Sequence, residues 1–177
     1  MNPYKQPSLK PVDIVVALQL IILPEATFAQ LAGAIGISHG EGHNSLSRLR
    51  TSRLTRPAQR AIAVERLLSF ITAGVPVAYP AVFGAESRGV PTAHSALPLA
   101  QQVALDDEPL IWADAGGSVR GTTLTPLFPK APALSRTNQR LYELLTLVDA
   151  IRIGRSRETG IAIGMLAERI GSATVGK

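Results

Sequence analysis

Asn44, Ser47, Arg48 and Thr51 stand three or four residues apart in the stretch TFAQLAGAIGISHGEGHNSLSRLRTSRLTR, residues 27–56. On a helix, residues at that spacing share one side. An asparagine amide can pair bidentately with an adenine edge, and an arginine guanidinium with guanine. Serine and threonine hydroxyls reach bases or phosphates, and His43 lies at the edge of the group. Arg48, Arg50, Arg53, Arg56 and Arg60 follow between residues 43 and 60 with no acid among them. Short polar side chains flanked by cations are what a major-groove surface requires, because base edges and phosphates lie side by side there. A solvated helical face would use similar residues, and the placement on two helices joined by a tight turn is what favours DNA.

Other constellations are weaker. His39 and His43 have the i, i+4 spacing of a helical metal pair, but Glu41 points elsewhere, so both are read as polar residues of the DNA-facing helix. His94 stands near Thr92 and Ser95. A triad there needs Asp106, Asp107 or Asp114, and Ser95 lacks the glycines of a nucleophile elbow. Gly116 and Gly117 lack the lysine and hydroxyl of a phosphate loop. No catalytic, cofactor-binding or metal-ligating residues are therefore assigned, and a non-enzyme is expected.

The elements that must position the polar face follow from capping chemistry. Pro11 suits a first helical turn, and an apolar helix is predicted over 12–23, ended by Pro24. Thr27 caps a helix over 28–35, Gly36 ends it in the left-handed conformation, and Ser38 with Glu41 reads as a capping box for a helix over 39–52. On the third helix Gly42, Leu46, Leu49 and Arg53 project inward. Gly40, Asn44, Ser47 and Thr51 project outward, flanked by Arg48 and His43. Thr27 and Gln30, Ser38 and His39, and Arg50, Arg53, Arg56 and Arg60 lie where phosphates would run. Leu54 and Thr55 read as a short strand, RLTRPAQR is too short for a long wing, and a helix over 58–73 follows, stopped by Gly74. VPVAYP, PLIWAD and TTLTPLF read as short strands. Ser135 caps a helix over 136–153, broken by Gly154, and a last helix covers 155–170. Arg152, Arg155 and Arg157, just after Asp149, read as helix C-terminal cations beside a partner carboxylate, with a second phosphate contact or a salt-bridged dimer seam as the alternative.

The block 27–55 resembles the helix–turn–helix of winged-helix bacterial transcriptional regulators, MarR-type ones included. The matching features are the Phe28/Leu31/Ala32 spacing, the Gly36-Ile37-Ser38 turn, and Leu46, Leu49 and Leu54. The stretches VAYPAVFGAESRGVPTAHSA and LYELLTLVDAIRIGRSRE resemble an uncharacterised group of small bacterial helix–turn–helix proteins. The resemblance implies double-stranded DNA as partner.

The fold class expected is mostly α with a small β component. Its parts are a flexible arm (1–10), a winged helix–turn–helix-like domain (11–74), an irregular α+β segment (75–134), C-terminal helices (135–171) and a tail (172–177). With 46% hydrophobic and 18% charged residues the chain can bury a core. The net charge of +5 is uneven: residues 1–75 hold eight basic and four acidic groups, residues 76–135 three and five. The absence of cysteine excludes disulfides, thiolate metal sites and cysteine nucleophiles. The apolar run 14–23 is short for a membrane span, no signal-peptide core is seen, and a cytoplasmic protein is expected.

The expected function is a sequence-specific DNA-binding repressor. It would act as a homodimer, through the apolar sides of the last two helices, on a palindromic operator. One alternative is an antitoxin-like protein that binds a partner from its own operon. Another is a ligand-sensing regulator with Tyr79, Phe83 and Trp112 lining a pocket.

Overall fold

The computed structural model describes residues 8–56, 60–103 and 108–175, with side chains through residue 171. Most of the expected arm, both Asp106 and Asp107, and residues 176 and 177 of the expected tail lie outside these residues; residues 172–175 of that tail belong to the last helix, which runs past the expected end at 170.

Helix α1 (Pro11–Ile22) opens with proline in its first turn and is buried along nearly its whole length, from Asp13 to Ile21. Such a helix is a core element rather than a surface one. Thr27 caps α2 (Phe28–Ile35), and Gly36 closes it at φ 76°, where a Cβ would be strained. Ser38 then caps α3 (His39–Thr51) by accepting the Glu41 amide at 3.1 Å. Both α2 and α3 pack on α1.

After α3 the short strand expected at Leu54 and Thr55 is present as a single bridge, and its partner is where a helix was expected. Thr55 and Ile62 form an antiparallel bridge, Arg56 N–H donates to Ala61 O at 2.8 Å, and Ala63 N–H donates to Leu54 O at 2.9 Å. A minimal hairpin thus occupies 54–63, and the helix expected from 58 begins only at Val64. Residues 57–59 lie outside the described residues. Nor does Gly74 stop the helix. Helix α4 (Val64–Ser69) runs through a π-helical turn (Phe70–Gly74) into α5 (Val75–Ala78), so the strand expected at VPVAYP is helical. The wider π turn is one way a helix absorbs a local misfit, and Pro76 is accommodated because it falls in the first turn of α5.

Three strands close on one another: β1 (Phe83–Pro91), β2 (Leu110–Ala113) and β3 (Val119–Leu124). β1 runs antiparallel to both others, with Val90 opposite Trp112 and Arg88 opposite Arg120, and β2 runs parallel to β3. β1 escaped the sequence reading because its first residues are exposed and mixed in character. Closure demands near contact of backbones. A Cβ on Gly121 would lie 2.0 Å from Pro109 O. Gly121→Ala should therefore lower stability by about 3 kcal/mol, read as a lower urea midpoint in the fluorescence of Trp112. A variant with the wild-type midpoint would show that the strands can part at no cost.

Helix α6 (Ala131–Thr137) and α7 (Gln139–Ile153) meet at Asn138, whose side chain caps α7, so the single helix expected from 136 is two. Gly154 separates α7 from α8 (Ser156–Val175). One apolar cluster joins Ile14 to Ile21, Leu31, Ile35, Leu46 and Leu49 with Leu141 to Ile151, Leu166 and Ile170, so it crosses the divisions expected at 74/75 and 134/135. Of the side chains expected to form a dimer seam, Leu141, Leu144, Leu145, Val148 and Ile151 of α7 and Leu166 and Ile170 of α8 are buried in this core, and Ile161, Ile163 and Met165 of α8 are partly exposed. The buried ones are not available to a second copy. No helix among the described residues is long and apolar enough to cross a membrane.

A polar hub sits inside this core. Asp149 is fully buried, accepting from Arg152 Nη1 at 2.5 Å, Trp112 Nε1 at 2.6 Å and Thr92 Oγ1 at 2.9 Å. Burial pushes its carboxyl pKa up, against the pull of those donors. Arg152 also donates to the carbonyls of Tyr79, Pro80 and Thr125. The expected pairing with the carboxylate of Asp149 is present, and beyond it Arg152 cross-links α7 to the chain on either side of the sheet.

Candidate nucleic-acid interface

The two sides of α3 are set by size and polarity. Gly42, Ser45, Leu46 and Leu49 are buried against α1 and α2. His39, Gly40, His43, Asn44, Ser47, Arg50 and Thr51 are exposed. The structure thus brings Asn44, Ser47 and Thr51 together on an open face of short side chains. Thr51 Oγ1 donates to Ser47 O at 3.1 Å, which holds that end of the face in place. His43 reaches sideways, its ring centroid 5.8 Å from that of Phe28.

Arg48 does not join them. Its Nε donates to Asp13 Oδ2 at 2.8 Å, and its Nη2 to Asp13 Oδ1 and Glu41 Oε1, both at 2.6 Å. The Asp13 side chain has 0% exposure and that of Arg48 only 16%. Hydrogen bonding to Asp13 holds the Arg48 guanidinium pKa well above its ordinary range. A fork bound this way on a buried carboxylate is an intramolecular tie, and the guanine contact expected of Arg48 is withdrawn. The helical projection placed the Cα correctly, but the long side chain folds back to α1. Asp13 is not singled out by helical periodicity. A lone carboxylate inside an apolar helix requires a partner, and that requirement was the available signal.

The other expected residues sort by environment. Ser38 accepts from the Glu41 amide, but Glu41 turns to Arg48, so the predicted reciprocal box is only half made. The complete box is Thr27 with Gln30: Gln30 N–H donates to Thr27 Oγ1 at 3.2 Å, and Thr27 N–H to Gln30 Oε1 at 2.8 Å. Both side chains are exposed and keep their own hydroxyl and amide protons for an anion. Arg53 follows α3 at φ 57° and is exposed, not inward as the projection had it. Arg50 and Arg56 are exposed as well, and among the described residues none of the three makes an ion pair. Arg60 lies over the Phe28 ring, its guanidinium carbon 4.6 Å from the centroid, with Nε and Nη2 buried. It braces the hairpin on α2 by a cation–π contact rather than reaching outward. Lys130, unremarked in the sequence, donates to Gly36 O and so holds the turn between α2 and α3.

The aromatics expected to line a ligand pocket are engaged elsewhere. Trp112 is 1% exposed and bonded to Asp149, Tyr79 Oη donates to Leu9 O at 2.6 Å, and Phe83 is 50% exposed on β1. An open groove of about 570 Å³ lies between the hairpin and α4, lined by Ser52, Leu54, Glu65, Arg66 and Phe70 among others. No protein-family model, curated protein or solved structure matches this chain.

Proposed function

We propose that the chain is a sequence-specific double-stranded DNA-binding protein that represses transcription by occupying a promoter. The observation that carries this is the continuity of two surfaces. The exposed face of Asn44, Ser47 and Thr51 runs directly into the exposed arginines Arg50, Arg53 and Arg56. Read as a helix–turn–helix, α3 enters the major groove, α2 presents its N-terminus with Thr27 and Gln30 to a phosphate, and the hairpin carries Arg56 alongside. His39, His43 and Ser38 border the groove. The hairpin at 54–63 stands where a winged helix has its wing, in reduced form. Pairing of two copies on a palindrome needs a surface other than the buried side of α7.

The test is a mobility-shift titration at ~150 mM salt against DNA from the protein's own promoter region. Each good base contact is worth about 1–3 kcal/mol. Asn44→Ala with Ser47→Ala should therefore weaken operator binding at least about tenfold and leave scrambled DNA unaffected. Undiminished operator binding would show that this face is not the reading surface.

A further inference from the structure

The geometry points to Arg48 as the positioning residue of the reading helix: its clamp on Asp13 fixes how α3 is rotated and set along α1, and so which outer side chains meet the bases. The inference rests on the DNA-binding reading above.

Helix α3 has little to hold its setting without this clamp. Gly40 and Gly42 weaken its own helicity. Its inward contacts are Leu46, Leu49 and two small residues. Apolar contacts of that kind are non-directional and permit small slides and rotations. The Asp13 carboxylate supplies the missing direction. It accepts four hydrogen bonds: Arg48 Nε at 2.8 Å, Arg48 Nη2 at 2.6 Å, Ser45 Oγ at 2.6 Å and Lys10 N–H at 2.7 Å. Ser45 and Arg48 are one turn apart on α3, so the helix is pinned at two points to one buried group. Glu41, two turns before Arg48, extends the tie along the helix axis. Any other setting of α3 strips a buried carboxylate of its cation, which is strongly disfavoured. Recognition surfaces tolerate misplacement of only about 0.5 Å, so a directional tie to the core element α1 controls specificity more than affinity.

The experiment uses the full chain with two duplexes of equal length, one from its promoter region and one scrambled, over a salt series. Arg48→Met keeps the length of the side chain and removes the fork; Arg48→Lys keeps the charge and removes the fork. Both should lower the ratio of specific to scrambled affinity about tenfold or more, while the affinity for scrambled DNA and the salt slope in Arg48→Met stay as in the wild type. Asp13→Asn, nearly isosteric, should lower the ratio likewise and covers the case in which an Arg48 variant fails to fold. A slope reduced by about one in Arg48→Met, with both duplexes weakened alike, would overturn the inference by showing a direct phosphate contact. So would a wild-type ratio in Arg48→Met or in Asp13→Asn, which is the result for a tie that merely adds stability. If the wild-type chain binds neither duplex, the DNA-binding reading itself fails, and this inference with it.

Discussion

Arg152→Ala should unfold at a urea concentration corresponding to a loss of about 3–5 kcal/mol, with the slope of the transition unchanged. The side chains of Arg152 and Asp149 are 4% and 0% exposed. Removing the cation leaves a carboxylate in the core with only Trp112 and Thr92 as donors, and strips the carbonyls of Tyr79, Pro80 and Thr125 as well. Against a total stability of roughly 5–15 kcal/mol that is a large fraction. For a chain of 177 residues it amounts to a fall of roughly 6–20 °C in melting temperature. Arg152→Lys should fall between the two, because an ammonium keeps the charge but cannot reach three carbonyls and a carboxylate in one plane. Trp112, the single tryptophan, donates to the same carboxylate and reports the transition directly. A loss below about 1 kcal/mol in Arg152→Ala would mean that water or a neighbouring group replaces the guanidinium, and that the hub is not what ties α7 to the sheet.

Which parts of this molecule were legible in the sequence follows from the range of the interactions involved. Thr27, Gly36, Ser38 and Gly154 act on backbone groups within four residues, and the bounds of α2 and the start of α3 were read from them directly. β2 was legible because LIWA is a short apolar run between breaking residues. Of the hairpin at 54–63 the first strand, Leu54 and Thr55, was legible; the second was not, because Ile62 has the spacing of a helical apolar position and only its pairing with Thr55 places it in a bridge. The continuation of α4 past Gly74 depends on a π turn, for which glycine and proline are poor signals.

The candidate site divides the same way. Exposure of Asn44, Ser47 and Thr51 followed from helical periodicity alone. The fates of Arg48 and Arg60 did not, since each long side chain is captured by a group distant in sequence, Asp13 and Phe28. Arginine is the residue for which a helical projection is least informative. Its head group lies several bonds from the Cα whose direction the projection gives. Asp149 and Arg152 show a related limit: their pairing at a helix end was legible, but not that they are among the most buried groups of the described residues, held there by Thr92 and Trp112, which are distant in sequence.

The capture of Arg48 and Arg60 also concentrates the electrostatics of the proposed interface. Of the five arginines between residues 43 and 60, three stand exposed and without an ion pair among the described residues, namely Arg50, Arg53 and Arg56. Replacing those three should weaken binding to any duplex by roughly a hundredfold at ~150 mM salt and lower the salt slope by roughly 2.7, since each phosphate contact contributes about 0.9. The ratio between promoter and scrambled DNA should stay nearly constant, because phosphates carry no sequence information. Arg50→Gln, Arg53→Asn and Arg56→Gln are the suitable changes. Asparagine tolerates the positive φ at position 53, and exposed residues without partners alter stability by no more than about 0.5 kcal/mol each. The outcome is the reverse of that expected for Asn44 and Ser47, which should change the ratio and leave the slope alone. A triple variant with the wild-type slope would show that DNA does not run past the C-terminal end of α3. The long axis of the duplex would then have to cross the face at its His39 end, beside the capped N-terminus of α2.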